Sequence, residues 1–170
     1  CLSVQAAYRF LQNGQSVGKV VLLIRPTFDE SRAAARVVPP MAGRVLVTGG
    51  LGGLGLLAAR CLLTPPCVDS VVLASRSGRV QQGSEDDLAD LLLQYPTAVT
   101  CIVGDASCLG SARLVLTQSS EHRHSMGSSL LRGIVHAAGV LADGVLVNQS
   151  AEQLRRSHAP KAVGASLLHS

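Results

Sequence analysis

The chain has 170 residues, which leaves room for about one domain and a short neighbouring segment. Hydrophobic residues make up 47% of it and aromatic residues only 2%, so its core has to be built from Val, Leu, Ala and Ile. The net charge of +4 is spread without a basic run, and with so few aromatic side chains this composition argues against a nucleic-acid partner.

The apolar stretches are too short for a membrane span. The one at residues 20–24 falls far short of the roughly 20 residues that cross a bilayer, so no membrane association is expected. The cysteines are odd in number and lack C-x-x-C spacing, which indicates reduced thiols, no metal site and a cytoplasmic protein. Because the chain starts at Cys1 without a signal segment, we expect it to be an excised piece.

The first 43 residues predict a helix, a strand and a linker. A helical pattern covers residues 6–11, and a strand-like run over residues 19–24 is closed by Pro26. Residues 27–43 are mixed in character and contain a pair of prolines. We therefore expect a linker over these residues and a new domain from Arg44 onward.

From Arg44, short apolar strands alternate with helical segments. Strands are predicted at residues 45–48, 70–75, 99–103 and 131–137, and helices at residues 53–63, 85–94 and 109–119. This alternation predicts an α/β fold with a doubly wound parallel sheet of the Rossmann type, incomplete at its C-terminal end. Residues 151–169 also have a helical pattern, except where Pro160 interrupts it.

A cluster of glycines joins the first predicted strand to the first predicted helix. Glycines permit a tight turn and let the backbone approach a pyrophosphate, whose negative charge then lies at the helix N-terminus. The strand before and the helix after are the context in which this motif indicates nucleotide binding; a tight turn in an unliganded domain is the alternative. The candidate cofactor-binding residues are Thr48, Gly49, Gly50, Leu51, Gly52, Gly53, Leu54 and Gly55.

The second predicted strand leads into Ser75, Arg76 and Ser77, where dinucleotide-binding proteins commonly have an acid that accepts the ribose hydroxyls. A guanidinium with two hydroxyls suits a 2′-phosphate, because the planar guanidinium donates two hydrogen bonds to phosphate oxygens. The sequence therefore predicts NADPH as the cofactor. The alternative for Arg76 is a solvated loop arginine.

Four motifs follow one another along this part of the chain, at residues 48–55, 73–78, 136–144 and 160–165. In content, order and spacing they resemble the ketoreductase domains of polyketide synthases and animal-type fatty-acid synthase, within the short-chain dehydrogenase/reductase superfamily. The resemblance covers residues 44–169. It implies hydride transfer from NADPH to the 3-keto group of an acyl chain.

The same resemblance implies roles for residues after the third and fourth strands. Asp105, with Ala106 beside it, is expected to meet the adenine amine, although a carboxylate here could instead cap the next helix. Ala137, Ala138 and Gly139 are expected to lie along the nicotinamide ribose.

Lys161 is the catalytic candidate that the resemblance supplies. In these ketoreductases the tetrad lysine comes from a Pro-Lys helix and lowers the pKa of the proton-donating tyrosine; a solvated helix lysine is the alternative. The tetrad serine, tyrosine and asparagine are expected beyond Ser170, because Tyr8 and Tyr95 stand at the wrong places. The 170 residues alone are therefore not expected to catalyse the reaction, and His136 is expected to be a packed residue without a catalytic task.

The N-terminal segment carries a second resemblance. Residues 6–11 and 18–22 look like the closing helix and strand of the enoyl reductase in such synthases, which implies the end of that domain over residues 1–26. The alternative is an unrelated edge strand of the same domain. The expected partners are this enoyl reductase, the structural half of the ketoreductase, and an acyl carrier protein whose phosphopantetheine holds the 3-ketoacyl substrate. The parent synthase is expected to be a homodimer; a nucleotide-binding module without chemistry and a stand-alone reductase are the alternatives.

The loop formed by Leu141, Ala142 and Asp143 bears on stereochemistry. Polyketide ketoreductases that form the D-configured 3-hydroxyl typically carry Leu-Asp-Asp here. This chain departs at Ala142 but keeps the second acid, so the resemblance favours the D-alcohol. The alternative is that Asp143 only caps the adjoining turn.

Overall fold

A computed structural model of the chain describes residues 4–13, 41–64, 67–121 and 130–169. The chain divides into two compact units, Cys1–Val37 and Val38–Ser170. In the first unit, helix α1 (Val4–Gln12) covers the helical pattern predicted there. The strand predicted at residues 19–24 and most of the predicted linker lie outside the described residues.

The second unit is built from parallel strands with helices between them, which confirms the predicted α/β fold. Its elements are β1 (Met41–Thr48), α2 (Gly53–Leu63), β2 (Val68–Ser75), α3 (Glu85–Gln94), β3 (Val99–Val103), α4 (Leu109–Glu121), β4 (Leu131–His136), α5 (Ala151–His158) and α6 (Gly164–His169). A 3₁₀ turn at Leu146–Asn148 precedes α5, and a π-helical turn at Ala159–Val163 joins α5 to α6.

The order of the strands in the sheet is β3-β2-β1-β4. The chain runs outward from β1 through β2 to β3 and then returns to the other side of β1. Because the strands are parallel, all four carboxyl ends lie at one edge, and a crevice opens between β1 and β4, where the order reverses. Open α/β sheets bind their ligands at such a reversal. The topology therefore predicts a ligand site at the residues that follow Thr48 and His136.

Both faces of the sheet are covered by apolar side chains. Successive residues of a strand point to opposite faces, so Val45 and Leu46 belong to different clusters. On one face, buried residues of β1 and β2 pack against α2 and α3; on the other, they pack against Val115 of α4. This two-sided burial explains why residues 45–47 of β1 and 71–74 of β2 read as continuous apolar runs in the sequence.

Arg44 is the one charged side chain among the buried residues of the described chain, and it is only 4% exposed. Its Nε donates to Ser70 Oγ at 3.2 Å, and its Nη1 donates to the Ser119 carbonyl oxygen at 2.8 Å. Burial lowers the pKa of this guanidinium, which nevertheless stays protonated in a protein. The cation thus holds the last turn of α4 against the sheet, where the partial negative charge of a helix C-terminus favours it.

The observed boundaries differ from the predicted ones by one or two residues at α1, β2, α4 and β4, and by more at two places. Strand β1 begins at Met41, ahead of the predicted start, because Met41 still pairs with Val68 across an irregularity in register. The helical pattern is not broken at Pro160; the turn widens there, and the Gly164 N–H donates to the carbonyls of Ala159 and Lys161. A wide turn accommodates a proline, whose ring crowds the preceding turn and which has no N–H to donate.

The turn between β1 and α2 is packed too closely for side chains. Gly49 has φ +66°, and a Cβ at this residue would lie 2.8 Å from the backbone of Ala138. A Cβ on Gly50 would lie 2.7 Å from Leu73 Cα. One on Gly55 would lie 2.6 Å from Gly50 Cα and would overlap the Gly49 carbonyl oxygen. The approach of α2 to the strand ends therefore requires these glycines.

Gly55→Ala is expected to destabilise the intact protein by about 1–3 kcal/mol, because the added methyl group meets backbone that cannot give way. Gly53→Ala is the matched control: the nearest atom to its Cβ is Ser84 Oγ at 3.7 Å. Its free energy of unfolding should change by no more than about 0.5 kcal/mol. Urea unfolding of both variants measures the difference. Equal losses in the two would contradict the packing described here.

Candidate functional site

Three backbone segments meet at the carboxyl edge of the sheet: the glycine turn after β1, the loop after β2 and the segment after β4. The Gly50 N–H donates to the Ala74 carbonyl oxygen at 3.0 Å, and the Ala137 N–H donates to the Thr48 carbonyl oxygen at 3.0 Å. These bonds fix the glycine turn between its two neighbours. A first groove at this edge is lined by Thr48, Gly49, Ala74, Ser75, Arg76, Gly104, Asp105, Ala106, Ser107, Ala138, Gly139, Val140 and Pro160.

A second groove runs along the glycine turn. It is lined by Gly49, Leu51, Gly52, Gly53, Leu54, Gly55, Ser75, Arg79, Gln81, Ala137 and Gly139. Because Gly49, Ser75 and Gly139 line both grooves, the two adjoin. Together they contain every predicted cofactor-binding residue except Gly50 and Ser77.

The N-terminus of α2 has the chemistry that a pyrophosphate requires. Gly52 is its N-cap and provides no side-chain cap. The Gly53 N–H donates to the side-chain oxygen of Gln81 at 3.4 Å, a long hydrogen bond to an acceptor of the same kind as a phosphate oxygen. Since the glycines add no side chains of their own here, the helix N-terminus fits an anion that takes the place of the Gln81 oxygen.

Ser75 at the end of β2 and Ser77 just after it build the loop that presents Arg76. Ser75 Oγ accepts a hydrogen bond from the Gly78 N–H at 3.0 Å, and Ser77 Oγ accepts one from the Arg79 N–H at 3.2 Å. Gly78 has φ +68°, which lets the chain turn at this point. Arg76 is exposed and lines the first groove, and each serine hydroxyl keeps its own proton for donation.

Asp105 is held as an ionised carboxylate in the first groove. Its Oδ1 accepts from the Ser107 hydroxyl at 2.6 Å and from the Ser107 N–H at 2.9 Å. The hydroxyl is the main cause that lowers the pKa of Asp105; the N–H and the charge of Arg76 act in the same direction, and partial burial opposes them. The carboxylate closes a turn ahead of α4, which begins at Leu109, and Ala106 beside it is buried.

Lys161 lies on the π-helical turn and is exposed. A Cβ on Gly139 would lie 3.2 Å from Lys161 Cε, so the aliphatic part of the lysine side chain extends over Gly139. Lys161 also borders a third groove, of about 660 Å³, which is lined by Val140, Leu141, Ala142, Asp143, Leu154, Arg155, Ser157, His158 and Lys161. The lysine therefore stands between this groove and the end of β4.

His136 is more than a packed residue. It is half-buried at the end of β4, and both of its ring nitrogens have hydrogen-bond partners. Nδ1 lies 2.6 Å from Thr48 Oγ1, and Nε2 lies 2.7 Å from the carbonyl oxygen of Pro160. No local pattern in the sequence signals these contacts, because the partners come from β1 and from the turn after α5.

Arg79 and Gln81 were also missed by the sequence reasoning. Both line the groove along the glycine turn, and the Gln81 N–H donates to the Leu51 carbonyl oxygen at 2.8 Å. The loop after β2 therefore folds back onto the start of α2. The sequence shows that Arg79 follows Arg76 by three residues, but it does not show how the loop between β2 and α3 folds.

Tyr95 stands away from this site. It is the C-cap of α3, and its hydroxyl is hydrogen-bonded to the hydroxyl of Thr64, the C-cap of α2. Helices that follow parallel strands return toward the amino ends of those strands. This tyrosine consequently lies at the edge of the sheet opposite to the grooves.

Two further observations apply to the described residues 4–13, 41–64, 67–121 and 130–169. They contain no group of three or more His, Cys, Asp or Glu side chains placed to hold a metal ion. None of their helices combines the length and the apolar character that a membrane crossing needs.

Comparison with known proteins identifies the family. Residues 43–170 match the KR domain family. The chain is 34% identical, over 96% of its length, to the spectinabilin polyketide synthase system protein NorB of Streptomyces orinoci. It is 35% identical, over 96% of its length, to a phthioceranic/hydroxyphthioceranic acid synthase of Mycobacterium tuberculosis. It spans 7% of the length of each of these relatives.

Solved structures agree with this result. An A-type ketoreductase structure from a modular polyketide synthase superimposes with a TM-score of 0.62 at 32% identity, and covers 77% of this chain and 26% of its own. The fold of such reductases implies a nicotinamide cofactor, and the closely packed glycine turn at the N-terminus of α2 fits its pyrophosphate. The chain therefore belongs, over residues 43–170, to the KR domain family, the ketoreductases of polyketide synthases.

Proposed function

We propose that the chain provides the NADPH-binding part of a ketoreductase domain in a reducing polyketide synthase. The substrate is the 3-keto group of an acyl chain on the phosphopantetheine arm of an acyl carrier protein, and the product is the 3-hydroxyacyl chain. The observation that carries the proposal is the adjoining pair of grooves at the strand-order reversal, with the glycine turn in one and Arg76 in the other. When bound, the nicotinamide supplies the hydride.

The glycine turn and the loop after β2 hold the two charged parts of the cofactor. The N-terminus of α2 would bind the pyrophosphate, and Arg76 would bind the 2′-phosphate, since a planar guanidinium can donate two hydrogen bonds to phosphate oxygens. Ser75, which lines both grooves, can donate its hydroxyl proton to the same phosphate. Asp105 and Ala106 meet the adenine, and Ala137, Ala138 and Gly139 follow the nicotinamide ribose.

Lys161 contributes the catalytic cation. Its position over Gly139 supports this role, because that segment is the one assigned to the nicotinamide ribose. A cation there lowers the pKa of a neighbouring tyrosine and so eases proton donation to the carbonyl oxygen of the substrate. We assign that tyrosine, with the serine and asparagine of the tetrad, to residues beyond Ser170, and the substrate arm to the groove along Leu141 and Leu154.

Residues 1–26 form the end of an enoyl reductase domain, which precedes the ketoreductase in the same synthase. Helix α1 supports this assignment, since the predicted closing helix of that domain falls on it. The partners are then the enoyl reductase, the structural half of the ketoreductase and the carrier protein, in a homodimeric and cytoplasmic synthase.

The preference for NADPH is tested by Arg76→Ala in the intact synthase. Loss of a charged hydrogen-bonding group should weaken NADPH binding by about 1.5–3 kcal/mol and leave NADH binding nearly unchanged. Arg113→Ala, at an exposed residue of α4 outside the grooves, is the control. Fluorescence titration measures both dissociation constants. Equal losses for the two cofactors would exclude a 2′-phosphate contact.

The catalytic role of Lys161 is tested with a 3-ketoacyl thioester and NADPH. Lys161→Ala should lower kcat at least about 100-fold, the scale of general acid catalysis. Arg156→Ala removes an exposed cation that does not border the third groove, and it should leave kcat unchanged. A Lys161→Ala enzyme with normal turnover would remove the lysine from the mechanism.

The stereochemistry of the product is expected to be D at the 3-hydroxyl. Gln149 Nε2 donates to the carbonyl oxygens of Ala142 at 3.1 Å and Gly144 at 3.3 Å, and thereby holds the loop around Asp143. With this loop fixed beside the third groove, the retained acid can guide the entry of the substrate arm. Chiral chromatography of the product decides the matter, and a predominant L-alcohol would mean that Asp143 does not guide entry.

A further inference from the structure

His136 joins the cofactor turn to the segment that carries Lys161. Its Nδ1 is hydrogen-bonded to Thr48 Oγ1 at 2.6 Å, at the end of β1, and Thr48 is only 2% exposed. Its Nε2 is hydrogen-bonded at 2.7 Å to the carbonyl oxygen of Pro160, the residue before Lys161. One imidazole ring therefore spans the crevice between the strand end and the π-helical turn.

The partners of the ring determine where its protons lie. A carbonyl oxygen can only accept, so Nε2 of His136 carries a hydrogen and donates it to Pro160. In the neutral ring Nδ1 is then an acceptor, and the Thr48 hydroxyl donates to it. The contacts thus run in one direction, from Thr48 through His136 to Pro160. They hold the geometry without transfer of a proton.

The π-helical turn makes the Pro160 carbonyl available to the ring. In a regular α-helix the Gly164 N–H would donate to the carbonyl of Pro160, four residues earlier. Here the Gly164 N–H donates to the carbonyls of Ala159 and Lys161, and His136 donates to Pro160. Gly164 is buried, and a Cβ there would lie 3.1 Å from Cε1 of His136. The wide turn and the glycine are therefore matched to the ring.

We propose that His136 is the positioning residue for Lys161. By holding the π-helical turn against the end of β1, it keeps the lysine side chain over Gly139, beside the cofactor grooves. The inference rests on the proposed catalytic role of Lys161, and His136 acts through that lysine without touching substrate.

Three substitutions at His136 in the intact synthase separate its two contacts. Phe keeps a flat ring but neither hydrogen bond, the Asn amide reaches the place of Nδ1, and the Gln amide reaches the place of Nε2. His136→Phe and His136→Asn should lower kcat for 3-ketoacyl reduction by about 10-fold to 100-fold, the effect of a catalytic group displaced by about 1 Å. His136→Gln should stay within about threefold of the wild type, because it can still donate to Pro160.

Combining His136→Phe with Lys161→Ala distinguishes a positioning role from general damage to the protein. If His136 acts through the lysine, His136→Phe costs nothing further once Lys161 is gone. The dissociation constant of NADPH and the thermal unfolding midpoint are measured on the same variants. Where the Phe variant fails to fold, the contrast between Gln and Asn carries the test in its place.

The outcomes are distinct. Equal losses of kcat in the wild-type and Lys161→Ala backgrounds would overturn the positioning role while leaving the proposed function intact. So would wild-type turnover of His136→Phe, or a Gln variant as slow as the Asn variant. Normal kcat in Lys161→Ala alone would overturn the proposed role of the lysine, and this inference with it.

Discussion

The parallel pairing of β1 with both β2 and β4 is the constraint on which the site depends. It places the carboxyl end of β1 between two other strand ends, with a hydrogen bond on each side, from Gly50 to Ala74 and from Ala137 to Thr48. In this position the chain has no room for a side chain at Gly49, Gly50 or Gly55. The glycines that follow are therefore a requirement of packing as well as of ligand access.

The two demands on the glycine turn reinforce each other. The close approach of α2 to the strand ends, which side chains would prevent, also leaves the helix without a cap from its own N-cap residue, Gly52, and the Gly53 N–H meets the side-chain oxygen of Gln81 instead. The N–H groups of this helix N-terminus and the positive end of the helix dipole then face the groove. On the opposite side of Ser75, the first groove combines the cation of Arg76 with the ionised Asp105. A ligand whose phosphate and base groups are separate suits two adjoining grooves that differ in this way.

The far side of the crevice is held by a different kind of contact. There the structure uses one side chain, His136, to connect the end of β1 with the turn before α6. The ring is closely packed along this connection, because Thr48 is buried in the sheet and Gly164 lies against the ring. The wide turn at Pro160 is thus part of the site's geometry and not a defect of the helix, as is common for π-helical turns.

Local patterns in the sequence determined most of the architecture. Helices α2 and α3 and strand β3 begin and end where the hydrophobic periodicity and the glycines predict, because these signals are carried by neighbouring residues. The motifs after the strands also identified the family, and all of the predicted cofactor-binding residues except Gly50 and Ser77 line the two grooves. Parallel strands deliver whatever follows them to one edge, so motif order alone was sufficient there.

The tertiary structure decided what depends on residues far apart in the chain. The start of β1 at Met41 follows from pairing with Val68, and the contacts of Arg79 and Gln81 follow from the fold of a loop onto the glycine turn. The partnership of Thr48, His136 and Pro160 has no local signature at all. Thr48 and His136 are 88 residues apart in sequence, and only the sheet that pairs β1 with β4 brings their side chains within hydrogen-bonding distance.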